Sequence, residues 1–141
     1  MSGSFLRPLL RDIGPKHALR NVRNGHVLAT DLIVAFDSKT RKTGLLKHDS
    51  LADGSAMLIA PTNAVHTFFM RFPIDIAFVN RDGLIVKTYA AVPPWRIAAA
   101  LRAHAVIEMP PGTLAKNETG VGDILSISQE DRSDPDKTKI T

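Results

Sequence analysis

Ile74-Asp75-Ile76-Ala77-Phe78-Val79-Asn80-Arg81-Asp82-Gly83-Leu84-Ile85-Val86-Lys87-Thr88-Tyr89 decides the fold of this chain. Six residues rich in β-branched and aromatic types meet a strong turn signal, Asn-Arg-Asp-Gly, and a second run rich in β-branched residues returns from it. That order predicts an antiparallel hairpin. In an extended strand Ile74, Ile76 and Phe78 share one face while Asp75, Ala77 and Val79 share the other. Both faces are largely apolar, so the strand is expected to be covered on both sides and Asp75 to be at least partly buried. An isolated buried carboxylate is costly. It therefore needs a partner: a cation (Arg41, Arg71, Arg96 or His66) or a set of backbone N–H groups.

Outward from the hairpin the same pattern recurs. Leu32-Ile33-Val34-Ala35-Phe36, Ala56-Met57-Leu58-Ile59, Val65 to Met70, Ala105 to Met109 and Ile124 to Ser128 read as further short strands. Ser38 to Leu46 reads as a short helix or turn capped by Ser38, Ala98 to Arg102 as a helical turn, and Thr113 to Thr119 as a helix ending at Gly120. Ala91-Val92-Pro93-Pro94-Trp95-Arg96 reads as a loop, because two prolines remove two ladder donors. Phe5, Leu9 and Ile13 form a helical stripe near the N-terminus, with Pro8 tolerated in a first turn. The expectation is a mainly β (α+β) fold: a compact β-sandwich or partly closed barrel with two or three short helices. Three regions are expected: a basic, partly ordered arm over 1–29, one β domain over 30–128, and a polar, disordered tail over 129–141.

Composition removes several functions. The 141 residues are 44% hydrophobic and include no cysteine, which excludes thiol nucleophiles, Fe–S clusters and thiolate metal sites. No run is long and apolar enough for a membrane-spanning helix. The formal charge is +4, but the excess lies in residues 1–30, where five basic side chains stand against Asp12 alone; residues 31–128 are nearly balanced. Nucleic-acid binding is therefore disfavoured, an accessory role for the basic arm being its remaining form. The N-terminus, charged and broken by Pro8, does not read as a signal peptide. As written the chain reads as cytoplasmic; an envelope or exported location would require a trimmed signal.

His66, Thr67, Arg71 and Asp75 gather within ten residues on two consecutive strands that could pair. Trp95 and Arg96 sit in the proline-rich loop, where binding residues are commonly placed, and Glu108 is an acid inside the apolar strand Val106 to Met109. No nucleophile elbow, metalloprotease helix, phosphate loop or dinucleotide pattern is present, so neither a cofactor nor a metal site is expected. His66 with Asp75 could support acid–base work, and these two with Glu108 a hard metal, but no spacing argues for either.

Thr40-Arg41-Lys42-Thr43-Gly44-Leu45-Leu46, Gly54 with Met57-Leu58, His66 to Met70, Pro73 to Val79, Pro93-Pro94, Glu108-Met109-Pro110 with Gly112, and Gly120-Val121-Gly122-Asp123 together resemble the DUF192 family, also called UPF0127, over roughly residues 30–128. The resemblance implies a small mainly-β domain and a polar cluster at Arg41, His66 and Asp75, with Glu108. It implies no catalytic role. Phe69-Met70 stands where the family usually has Trp-Met. The leading expectation is a non-catalytic domain binding a small ligand, glycan or peptide through Arg41, His66, Thr67, Met70, Asp75, Trp95, Arg96 and Glu108, beside Phe69. The alternative is a hydrolase using His66 and Asp75.

Overall fold

A computed structural model describes residues 4–11, 16–35, 51–68 and 70–129. Ten strands and two short helices lie among them: α1 (Arg7–Arg11), β1 (His17–Asn21), β2 (Val27–Ala29), β3 (Asp31–Ala35), β4 (Ser55–Ile59), β5 (Ala64–His66), β6 (Ile74–Val79), β7 (Ile85–Val92), β8 (Ile97–Ala99), β9 (Ala105–Met109), α2 (Thr113–Lys116) and β10 (Leu125–Gln129). They form three open sheets: five strands in the order β3-β4-β9-β6-β7, three in the order β10-β1-β2, and the pair β5-β8. The sandwich expectation holds and the barrel does not. In the five-stranded sheet β3 and β4 run parallel and every other pair is antiparallel.

The decisive hairpin forms as expected. Asn80 Oδ1 accepts the N–H groups of Asp82 and Leu84, and the Gly83 N–H donates to the Asn80 carbonyl at 3.1 Å. Gly83 has φ 87°, and a Cβ there would collide with the Leu125 carbonyl oxygen and the Phe5 ring. Only glycine meets both demands.

All six residues of β6 and all five of β9 are buried, because the central sheet has a core on each face. One core holds Leu19, Leu58, Ala77, Val79, Ile107 and Met109 and is closed by the three-stranded sheet and α1. The other holds Met57, Ile59, Ile74, Ile76, Phe78 and Val106 and is closed by Met70, Leu51 and the β5–β8 pair through Val65 and Ala98. Residues i and i+1 of β6 and β9 therefore face different cores.

Several expectations change. Residues 17–29, assigned to the arm, supply β1 and β2, and Gln129, assigned to the tail, pairs with His17. The Val65–Met70 strand stops at His66 and pairs with β8, not with β6. Ala98-Ala99 belong to β8, and only Leu101-Arg102 form the turn. Ala91-Val92 close β7 through a bulge, with Val92 opposite Ile74 but Tyr89 opposite Ile76; as an edge strand β7 tolerates the prolines that follow. Phe5 and Leu9 are buried as the stripe requires. Ile13, Phe36, the 38–46 helix or turn, Arg41, Phe69 and the tail beyond Gln129 lie outside the described residues.

Candidate functional site

Asp75 is 1% exposed, as its strand predicts, and its partners are backbone amides. Its carboxylate accepts the Ala91 N–H at 2.8 Å and the Leu114 N–H at 3.0 Å. Ala91 has φ 48° at the β7 bulge, which turns its N–H away from the ladder and toward Asp75. Leu114 lies in the first turn of α2, whose N-cap Gly112 offers no side-chain bond; Asp75 supplies the missing acceptor from another strand. The carboxylate thus ties together β6, the edge strand and α2. Opposite Met109 in register, it faces the core closed by the three-stranded sheet.

Glu108 has the opposite fate. It is 5% exposed and lies between Met57 and Ile76 across its two neighbouring strands, both in the second core. No described residue hydrogen-bonds its carboxyl group, and burial pushes its pKa up to about 7. The sheet separates Asp75 from Glu108, so these two acids and His66 do not converge.

On the second-core side, Thr67 is a buried junction. Its N–H donates to the Arg96 carbonyl at 2.8 Å, its hydroxyl donates to the Pro93 carbonyl at 2.8 Å and accepts the Arg96 N–H at 2.8 Å, and its carbonyl accepts the N–H groups of Trp95 at 3.0 Å and Met70 at 3.2 Å. One threonine thereby holds the whole 93–96 loop. Trp95 sits in that loop at φ 67°, a left-handed conformation that costs a bulky residue of the order of 1–3 kcal/mol. Its indole is 56% exposed and stacks on Phe68 at 5.6 Å between ring centroids and 27° between planes. Phe68 in turn lies 4.8 Å from the His66 ring, and the Phe68 N–H donates to His66 Nδ1 at 3.3 Å. The exposed Arg96 guanidinium folds back on its own loop, with a nitrogen 3.4 Å from the Pro94 and Trp95 carbonyls.

The structure therefore brings His66, Thr67, Trp95 and Arg96 together as an aromatic shelf with a cation at its edge, places Met70 and Glu108 beneath in the second core, and sends Asp75 to the other face. Phe68 is the residue missed. Its spacing of two from His66 was the available signal, but the backbone leaves the strand at Thr67 and brings Trp95 over from a loop 28 residues on, which no local pattern announces. Among the described residues no three histidine or acidic side chains are grouped to hold a metal.

The DUF192 family model, whose description is "Uncharacterized ACR", matches residues 19–127. The chain belongs to the DUF192 family. Two solved structures share the fold of this DUF192 domain. One is a Sinorhizobium meliloti protein titled "putative transcription regulator", 22% identical, with TM-score 0.69, covering 79% of this chain and 92% of its own. The other is a protein of unknown function from Novosphingobium aromaticivorans, 24% identical, with TM-score 0.65, covering 78% of this chain and 82% of its own. At those identities the likeness speaks for the fold alone. No curated protein matches the chain.

The Gly120-Val121-Gly122-Asp123 block carries a structural duty in this DUF192 domain. Asp123 takes an ion pair from Arg23 at 2.7 Å, an N–H from Gly120 at 3.0 Å and the side-chain amide of Asn21 at 3.1 Å. These contacts hold its carboxyl well below the usual carboxylate range, the Arg23 hydrogen bond most of all. Arg23, a cation of the N-terminal arm, is thus engaged within the fold. Among the described residues no helix is long and apolar enough to cross a membrane.

Proposed function

We propose that this DUF192 domain is a non-catalytic binding module whose contact surface is the shelf formed by His66, Phe68, Trp95 and Arg96. One observation carries the reading: a strained backbone at Trp95, held by Thr67, keeps a large aromatic ring on the surface and stacked on a second ring. An exposed ring stacked on a second ring offers a flat apolar surface of the kind that a ligand with an apolar face uses. A flat ring beside a guanidinium suits a ligand with one apolar face and an acceptor at its edge, such as a sugar ring or a short peptide. The hydrolase alternative requires His66 beside Asp75, and the central sheet stands between them.

The chain has one tryptophan, so its fluorescence reports on the shelf directly. Titration with a panel of soluble oligosaccharides and of proline- or aromatic-containing peptides is expected to shift the emission for one class. Phe68→Ala and Arg96→Ala are expected to weaken that response about tenfold while leaving Tm within a few degrees. An emission unmoved by every member of the panel, or a response equal in both variants and the wild type, removes the shelf as a binding surface.

A further inference from the structure

At the far end of β8 from the shelf, a cleft of about 340 Å³ is lined by Asn80, Arg81, Asp82, Arg102, Ala103 and His104. Two pieces of chain distant in sequence build it: the β6–β7 turn and the turn that joins β8 to β9. Both are fixed by the backbone. The Arg81 carbonyl accepts the Phe5 N–H at 3.1 Å, Ala103 donates to Ala100 at 3.0 Å, and His104 donates to Val79 at 2.8 Å and accepts from Thr62 at 2.9 Å. Two arginines and a histidine are among the residues that line the same opening. Neither Arg81 nor Arg102 makes a salt bridge among the described residues. The one acid in the lining, Asp82, receives the Ser4 hydroxyl instead. Burial first and the Arg81 charge second hold the His104 pKa below its ordinary value, so the Arg81 charge lies close enough to act on that imidazole. In a body whose charges are otherwise nearly balanced, this is a local positive excess.

Arg102 also forms one wall of an adjoining cleft of about 450 Å³, whose other walls are Val86, Lys87, Ala99, Ala100 and Leu101. That space is mainly apolar, and Leu101 at its rim is 92% exposed. Both clefts are wide open to solvent, and their volumes fall in the lower part of the range of small-molecule sites.

We propose that the paired clefts bind a small organic anion, its carboxylate or phosphate group on Arg81 and Arg102 beside His104 and its apolar body along Val86 and Ala99 to Leu101. Planar guanidinium groups suit oxyanions because each can donate two parallel hydrogen bonds. The site is separate from the aromatic shelf and stands or falls independently of it.

The test is calorimetric titration at low ionic strength with hexyl phosphate, hexanoate, 1-hexanol and inorganic phosphate. Hexyl phosphate or hexanoate is expected to bind at least about tenfold tighter than both the neutral alcohol and bare phosphate, since each of those lacks one half of the recognition. The stronger of the two anions identifies the headgroup. Arg81→Ala combined with Arg102→Ala, both surface positions, is expected to weaken binding about tenfold or more, whereas Lys116→Ala on α2 leaves it unchanged. Equal binding by the double variant and the wild type overturns the proposal. So does the absence of heat with either anion, or an anion that binds no better than hexanol.

Discussion

Asp75 and Glu108 are both carboxylates on central strands, and the pleat alone separates their roles. Asp75 looks into the core where two backbone donors need an acceptor; Glu108 looks into the core where no described donor meets it. That Asp75 is buried followed from the apolar residues around it in sequence. That its partners are amides and not arginines did not, because the donors come from a bulge 16 residues away and a helix 39 residues away. Asp75→Ala leaves the Ala91 and Leu114 N–H groups buried without an acceptor, which should cost about 2–4 kcal/mol and lower the denaturant midpoint with little change in slope. At temperatures where the variant stays folded, any ligand found for the shelf should bind within about twofold of wild type, since a positioning role across the sheet does not reach Trp95. Weaker ligand binding with unaltered stability would return Asp75 to a binding role.

At the scale of elements, the strands legible in sequence are those with mainly apolar or alternating runs: β3, β4, β6, β7, β9 and β10, with β5 seen in part. The strands that escaped notice are three to five residues long and carry charge or alanine. β1 contains Arg20, and Ala98-Ala99 reads as the start of a helical turn until pairing with β5 makes it part of β8. Beyond the β6–β7 hairpin, pairing partners were illegible, because β5 and β6 adjoin in sequence yet belong to different sheets. The 93–96 loop shows what such a connection depends on. Thr67→Val keeps the shape of the side chain but removes the hydroxyl that serves both Pro93 and Arg96, leaving those groups unpaired at about 1–3 kcal/mol. Hydrogen exchange at the Arg96 amide should accelerate accordingly, and Trp95 fluorescence anisotropy should fall as the ring loses its fixed seat. Unchanged protection at Arg96 would mean that the loop is held by something other than Thr67.

For the molecule as a whole, a sheet with a core on each face keeps the Glu108 side chain almost wholly buried, and this makes stability depend on pH in a particular sense. In the unfolded chain the Glu108 carboxyl ionises near its ordinary value of 4.5, whereas in the folded protein it keeps its proton up to about 7. Between those values the folded state binds more protons than the unfolded state, so stability falls as pH rises; above about 7 the loss is complete. A shift of this size corresponds to roughly 3 kcal/mol. Asp123 works in the other direction. Its carboxyl is held low by Arg23, Gly120 and Asn21, so its contribution is present above the ordinary aspartate range and fades as pH falls below it. His104, lowered by burial and by Arg81, subtracts some stability below the ordinary histidine value, but it is only partly covered and its effect is smaller than that of a fully buried acid. The sum places the stability maximum at about pH 4, between the ordinary values of aspartate and glutamate. Wild-type Tm, followed from acid to mildly alkaline buffer, should therefore peak there and decline toward pH 8. Glu108→Gln is neutral throughout and nearly isosteric, so its Tm should stay level over the same alkaline limb and exceed that of the wild type above about pH 7. A wild-type Tm that does not change between those values, or a Gln variant that declines in parallel, would show that Glu108 is ionised and paired in the folded protein.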